Sequence, residues 1–310
     1  MEPLMQILKK DDDFQATVEG LRGRLKEQMV AGLSGTARML YVATLHRETE
    51  RPILLVTHNL NQAQKAAEDL YELLPREQVL LYPANELVVA EVALAGQETL
   101  GERIEVLSRL SRGFSGVLVV PYSGLRRRFL PRSVMRDAHL HLAVGEEHPM
   151  EPLVKRLTEI GYERVEMVEK AGEFSVRGGI LDVYPVTFDD PVRIEWFDDE
   201  VDSIRPFSVA DQRSYEKREE VLIPPARELF ATGDLLYQAG DRVAGLLEER
   251  LKTVKDPTLR KKLTETIGWE IEQLKAGQFF YRDLQVYRTH LPGLSKYSVV
   301  YAEGRHSRHG

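Results

Sequence analysis

The stretch in this 310-residue chain with the clearest chemical meaning is Gly32-Leu33-Ser34-Gly35-Thr36-Ala37-Arg38-Met39. It runs along the phosphate-loop pattern G-x-x-x-x-G-K-[ST] with three replacements. Ala37 stands where a second glycine lets backbone N–H groups approach phosphates. Arg38 stands where a lysine reaches the outer phosphates, and Met39 where a hydroxyl holds Mg²⁺. A planar guanidinium does not reproduce a compact ammonium, and a thioether is a poor magnesium ligand. Nucleotide turnover is therefore not expected, although a helix N-terminus can still attract an anion. The motif alone leaves two readings open: an ordinary glycine-rich turn before a helix, or a decayed phosphate loop in a strand–turn–helix setting.

Other polar groupings have plainer readings. Arg126-Arg127-Arg128, with Arg132 and Arg136, is the densest basic stretch. It could touch phosphates or an acidic partner, but it reads best as a solvated connection between domains. Asp198-Asp199-Glu200, with Asp202, reads as a hairpin turn, because it lacks the spacing of a calcium loop. His139, His141 and His148 fall short of a complete ligand set, so no metal site is expected. No nucleophile motif occurs and no catalytic residue is assigned. The chain has no cysteine, which excludes disulfides, thiolate metal sites and cysteine nucleophiles.

Forty-two Lys plus Arg against 49 Asp plus Glu give a formal charge of −7. That argues against a surface that grips nucleic acid throughout, while leaving room for a local basic patch. No apolar run has the length of a membrane span, and the opening residues lack a signal peptide's apolar core. The chain reads as soluble and cytoplasmic.

The elements that must position these groups begin with an alternating pattern. Helical periodicity covers 14–30 and 36–47. Ile53 to Thr57 is an apolar run that reads as a strand buried on both faces. A helix over 61–74, a strand over 79–82, a helix over 97–110 and a strand over 117–120 follow. This rhythm predicts an α/β sheet with crossover helices. Beyond residue 125 short strands dominate. Phe174 to Tyr184 reads as a long strand interrupted by Gly178-Gly179, a candidate bulge, and 192–197 and 201–207 form a hairpin. From about 213 the pattern is helical, with helices over 227–252 and 258–276 and Gly277 as a C-cap.

Residues 161–185, GYERVEMVEKAGEFSVRGGILDVYP, and the following PVRIEWFDDEVDSIRPF resemble the second domain of the UvrB-like module. This module is shared by the excision-repair helicase UvrB and the transcription-repair coupling factor Mfd. LLVTHNLNQAQK and the loop GLSGTAR resemble the first domain, and the degraded loop places the chain on the Mfd side. The resemblance covers residues 1 to about 285. It implies a fold class: an α/β protein with a RecA-like (P-loop-NTPase-like) parallel sheet core and an inserted α+β domain. A helical third segment is expected to pack back on the core. The implied domains are 1–124 (degenerate RecA-like), 125–212 (inserted, UvrA-binding) and 213–300 (mainly helical). Residues 301–310 read as a disordered tail or a non-native addition.

By the same resemblance the module is a non-catalytic adaptor that binds UvrA and brings nucleotide excision repair to stalled RNA polymerase. RNA-polymerase-binding and translocase domains belong to the longer family proteins. No cofactor is implied, and DNA binding is expected to be weak or absent. The aromatic β-hairpin of UvrB has no counterpart between Tyr82 and Val117. The UvrA contact falls on Arg164 and Arg177, with Ser175 where the family pattern has another arginine. Strand alternation puts Phe174 and Val176 inward and Ser175 and Arg177 outward, with Arg164 able to share the outward face. Two rival functions remain: a nucleotide-dependent repair ATPase or helicase domain, and a DNA-binding module.

Overall fold

The computed structural model describes residues 2–84, 97–125, 129–231 and 233–276. The arginines at 126–128, Gly277, the 301–310 tail and residues 85–96 of the segment after Tyr82 fall outside the described residues. The chain divides into two compact units, residues up to 93 with 109–127, and residues 94–108 with 128 onward.

The first unit contains helices α1 (Glu2–Leu8), α2 (Asp12–Arg22), α3 (Thr36–Thr49) and α4 (Leu60–Tyr71), and strands β1 (Ile53–Thr57), β2 (Val79–Leu81) and β3 (Val117–Pro121). The dividing line between the units falls inside α5 (Gln97–Arg112), and the short α6 (Tyr122–Leu125) follows β3. The three strands form a parallel sheet in the order β1-β3-β2, with Ile53 and Val79 both aligned on Val117. Parallel neighbours need crossover connections, and the helical periods between the apolar runs supply them. Asn59 caps α4 by accepting a bond from the Gln62 N–H at 2.9 Å. Ala63, Ala66, Ala67 and Leu70 of α4 then pack with Met39 and Ala43 of α3 against Val79, Val117 and Val119. Each large apolar side chain so buried is worth about 1.5–3 kcal/mol.

Two expectations fail here. β1 is not covered on both faces: Leu54 and Val56 are 51% and 44% exposed. The first helical pattern also stops early. Gly23 receives the end of α2, and residues 23–35 form neither helix nor strand.

The second unit carries helix α7 (Arg132–Asp137), β4 (Leu140–Ala143), α8 (Met150–Glu159), β5 (Glu163–Arg164), β6 (Glu173–Arg177), β7 (Ile180–Val183), β8 (Val192–Phe197), β9 (Glu200–Pro206), β10 (Glu220–Ile223), α9 (Gly233–Thr253) and α10 (Pro257–Lys275). A five-stranded mixed sheet has the order β5-β6-β7-β8-β9, and β10 pairs with β4 in a separate two-stranded sheet. β10 lies where helix was expected. Its four residues, ended by Pro224-Pro225, are too few to show a period, and pairing with β4 fixes them as a strand. The hairpin around the acidic turn forms as expected, with Asp198 in the left-handed region at φ 57°. The helical pair α9 and α10 closes over Leu236, Ala239, Val243 and Leu274.

Gly178-Gly179 is not a bulge within one strand. It is the two-residue turn of the β6–β7 hairpin, closed by the Arg177–Ile180 pair. Gly178 has φ 60°, which the first position of a tight hairpin turn demands. The architecture is mixed α/β: a small parallel sheet, a five-stranded mixed sheet and C-terminal helices.

Candidate functional site

The five-stranded sheet has two chemically distinct faces, fixed by alternation and register. Phe174 aligns with Val183, and that residue with Val192; Leu181 aligns with Ile194, and that residue with Ile204. Phe174, Val183, Val192, Leu181, Ile194 and Ile204 are all fully buried and form the apolar side. The other parity brings Ser175, Asp182, Arg193 and Arg205 into one cross-strand row, beside a second row of Arg177, Ile180, Glu195 and Ser203. Pairs in register point to the same side of a sheet, so this is the polar face.

At its centre is Asp182, whose side chain is only 2% exposed. An isolated carboxylate at that depth would be costly, so it must be paired. Arg193 supplies a two-point grip, Nε to Oδ1 at 2.7 Å and Nη2 to Oδ2 at 2.9 Å. Arg177 adds one bond from Nη2 to Oδ2 at 2.5 Å. Arg193 is held further by donating Nη1 to the Gln212 carbonyl at 3.3 Å and by lying 4.6 Å over the Phe207 ring. The hydrogen bond to Asp182 raises the pKa of the Arg193 guanidinium further. Ser203 donates to Glu195 at 2.8 Å in the neighbouring row.

Of the residues singled out in the sequence, Arg177 lies on this polar face with its side chain 50% exposed. Ser175 shares the face but is buried, 2% exposed, where an outward position was expected. The reason is local: after β5 the chain leaves the sheet and crosses above Ser175, whose hydroxyl donates to the Glu166 carbonyl at 2.8 Å. Arg164 does not share the face of Arg177. Its register partner in the parallel β5–β6 pair is Phe174, which assigns it to the opposite parity. Arg164 is exposed on an edge strand of two residues and has no side-chain partner among the described residues. Strand geometry sets the two arginine Cα atoms about 11 Å apart, so they flank the sheet edge from either side. Asp182 and Arg193 were missed in the sequence. The signal was a lone acid, Asp182, inside the apolar run Ile180 to Val183, which needs a cation beside it if buried.

The glycine-rich loop offers much less. Gly32 and Gly35 have φ of 86° and 52°, with open space where a side chain would go. The strand expected before the loop is absent, since residues 23–35 are irregular. The Ala37 and Arg38 N–H groups, which would face a phosphate, bond at 3.2 Å to the carbonyls of Ser34 and Gly35. Met39, at the magnesium-ligand position of the motif, is 6% exposed and packed in the core. Arg38 is exposed and, among the described residues, reaches only the Leu33 carbonyl at 3.5 Å.

Two of the three histidines converge on Glu146, with His141 Nδ1 at 3.9 Å and His148 Nε2 at 3.1 Å from its Oε2. His139 precedes β4 and its Nδ1 lies 2.9 Å from the Met135 carbonyl. His141 and Glu220 meet at 2.9 Å, and His148 and Glu146 at 3.1 Å. The His148 contact lowers the Glu146 pKa. Among the described residues no group of three or more His, Asp or Glu side chains is arranged to hold a metal ion. No helix among them is long and apolar enough to cross a membrane.

Residues 140–229 match the UvrB interaction domain, which spans both arginines and the whole polar face. The chain is homologous over nine-tenths of its length to the N-terminal quarter of transcription-repair-coupling factors. It is 42% identical over 278 residues to the transcription-repair-coupling factor of Bacillus subtilis (strain 168), covering 90% of this chain and 24% of that protein. The same-named proteins of Staphylococcus aureus strains USA300 and NCTC 8325 are each 32% identical over 291 residues, covering 93% of this chain and 24% of theirs. The chain thus spans about a quarter of the length of these relatives.

Proposed function

We propose that this chain is a non-catalytic adaptor module of a transcription-repair coupling factor. In the bacterial cytoplasm it binds UvrA and brings nucleotide excision repair to stalled RNA polymerase. The polymerase-binding and translocase activities reside in other parts of the longer protein. In this reading residues 1–124 are a degenerate RecA-like domain and the segment 125–212 docks UvrA. Arg164 and Arg177 make the contact, gripping the sheet edge from its two sides, and Ser175 supports the fold without touching the partner.

The observation that carries this reading is the half-exposed guanidinium of Arg177 within the matched interaction domain, engaged through a single nitrogen. Arginine is favoured at interface hot spots because its planar fork can hold a carboxylate at two points. The non-catalytic part is supported by the loop at Gly32, whose first helical N–H groups are internally bonded and whose Met39 faces the core.

Calorimetric titration with a bacterial UvrA tests the proposal. The unmodified chain binds, and Arg164→Ala and Arg177→Ala each weaken binding roughly tenfold or more. Indifference of the unmodified chain to UvrA overturns it.

A further inference from the structure

We propose that Asp182 is a positioning residue for UvrA binding: it anchors one nitrogen of Arg177 and so presents the rest of that guanidinium to the partner. This rests on the reading of Arg177 as a contact residue. Asp182 itself touches no partner, since its side chain is 2% exposed.

The two arginines around this carboxylate are held very differently. Arg193 is 18% exposed and held on several sides, with two bonds to Asp182, one to the Gln212 carbonyl and the Phe207 ring beneath it. It fixes the carboxylate. Arg177 is 50% exposed and bonded to Asp182 only through Nη2. Four of its five N–H donors, including one two-point edge, are therefore left for an incoming carboxylate. A free arginine on a strand end loses much rotamer freedom when a partner fixes it; one already tethered loses less, and binds more tightly for the same contact. The local charge agrees. The two rows of the polar face carry Arg177, Arg193 and Arg205 against Asp182 and Glu195, a net positive charge that favours an acidic partner surface even with Asp182 in place. Without the carboxylate the two arginines repel each other and Arg177 swings away.

The test is a double-mutant cycle read by UvrA titration of the full chain, with thermal unfolding followed in parallel. Asp182→Asn weakens binding roughly tenfold when Arg177 is present and less than about twofold in the Arg177→Ala background. Equal losses in both backgrounds, or no loss with Arg177 present, overturn the proposal. Arg177→Lys, at a half-exposed position that tolerates the change, gives a second test independent of the buried carboxylate. Its ammonium cannot serve Asp182 and the partner with two separate edges, so it binds about as weakly as Arg177→Ala. Full affinity of Arg177→Lys overturns the positioning role while leaving UvrA binding intact. Failure of the unmodified chain to bind UvrA overturns both readings, and an Arg177→Ala chain that binds normally removes the contact that Asp182 would position.

Discussion

The loop at Gly32 and the hairpin at Arg177 both present arginine near a glycine turn, yet they make opposite use of their polar groups. In the loop, the N–H groups of Ala37 and Arg38 are satisfied within the turn, and Arg38 hangs from a long 3.5 Å contact with a carbonyl. In the hairpin, the backbone is closed by ladder pairing, and the buried carboxylate of Asp182 organises two guanidinium groups above it. A row of residue types is therefore a weak guide to a site. The hydrogen-bond account behind it decides whether donors remain for a ligand.

The sharpest way to break this contrast is to give the loop its missing residues. A chain with Ala37→Gly, Arg38→Lys and Met39→Ser is expected to lose about 2–5 kcal/mol of stability, chiefly because a buried methionine is removed from the core. It gains no measurable Mg·ATP affinity, because no strand delivers the loop to a phosphate. Chemical denaturation and nucleotide titration check both halves, and tight nucleotide binding would erase the distinction. A smaller effect is expected at Ser175. Ser175→Ala leaves the Glu166 carbonyl without its hydroxyl donor and costs about 1–2 kcal/mol in a denaturation curve, while UvrA affinity stays unchanged. A marked loss of affinity there would return Ser175 to the interface. The smallest effect is at Arg38. Arg38→Ala at that exposed position shifts stability by less than about 0.5 kcal/mol, measured by the same unfolding curve.

Elements marked by local sequence were legible: α4 lies where its apolar period puts it, α3 begins after the glycine break at 32–35, and β2 and β3 lie on short apolar runs. What escaped depended on neighbours distant in the chain. β1 is apolar throughout, but Leu54 and Val56 share by alternation the face that stays exposed, and only tertiary packing decides which face is covered. Alternation assigned Ser175 and Arg177 to one side correctly. It could not show that the segment after β5 would cover the first and leave the second exposed. Arg164, at the start of a neighbouring strand-like stretch, was expected to be able to share the face of Arg177, whereas register with Phe174 sets its side. Asp182 was visible as a lone acid among apolar residues, but its partners come from β6 and β8, and only the pairing of strands brings them together.

The tight turn at Gly178-Gly179 carries a consequence for how this region can change over generations. Side chains in a strand alternate with a period of two. A third residue in the turn, carried into β7, would send Asp182 to the apolar side and bring Leu181 and Val183 to the polar one. The length of that loop is thus a gauge that holds the acid beneath Arg177. Point substitutions around it can be weighed one by one, but an insertion or deletion there would overturn the whole row at once.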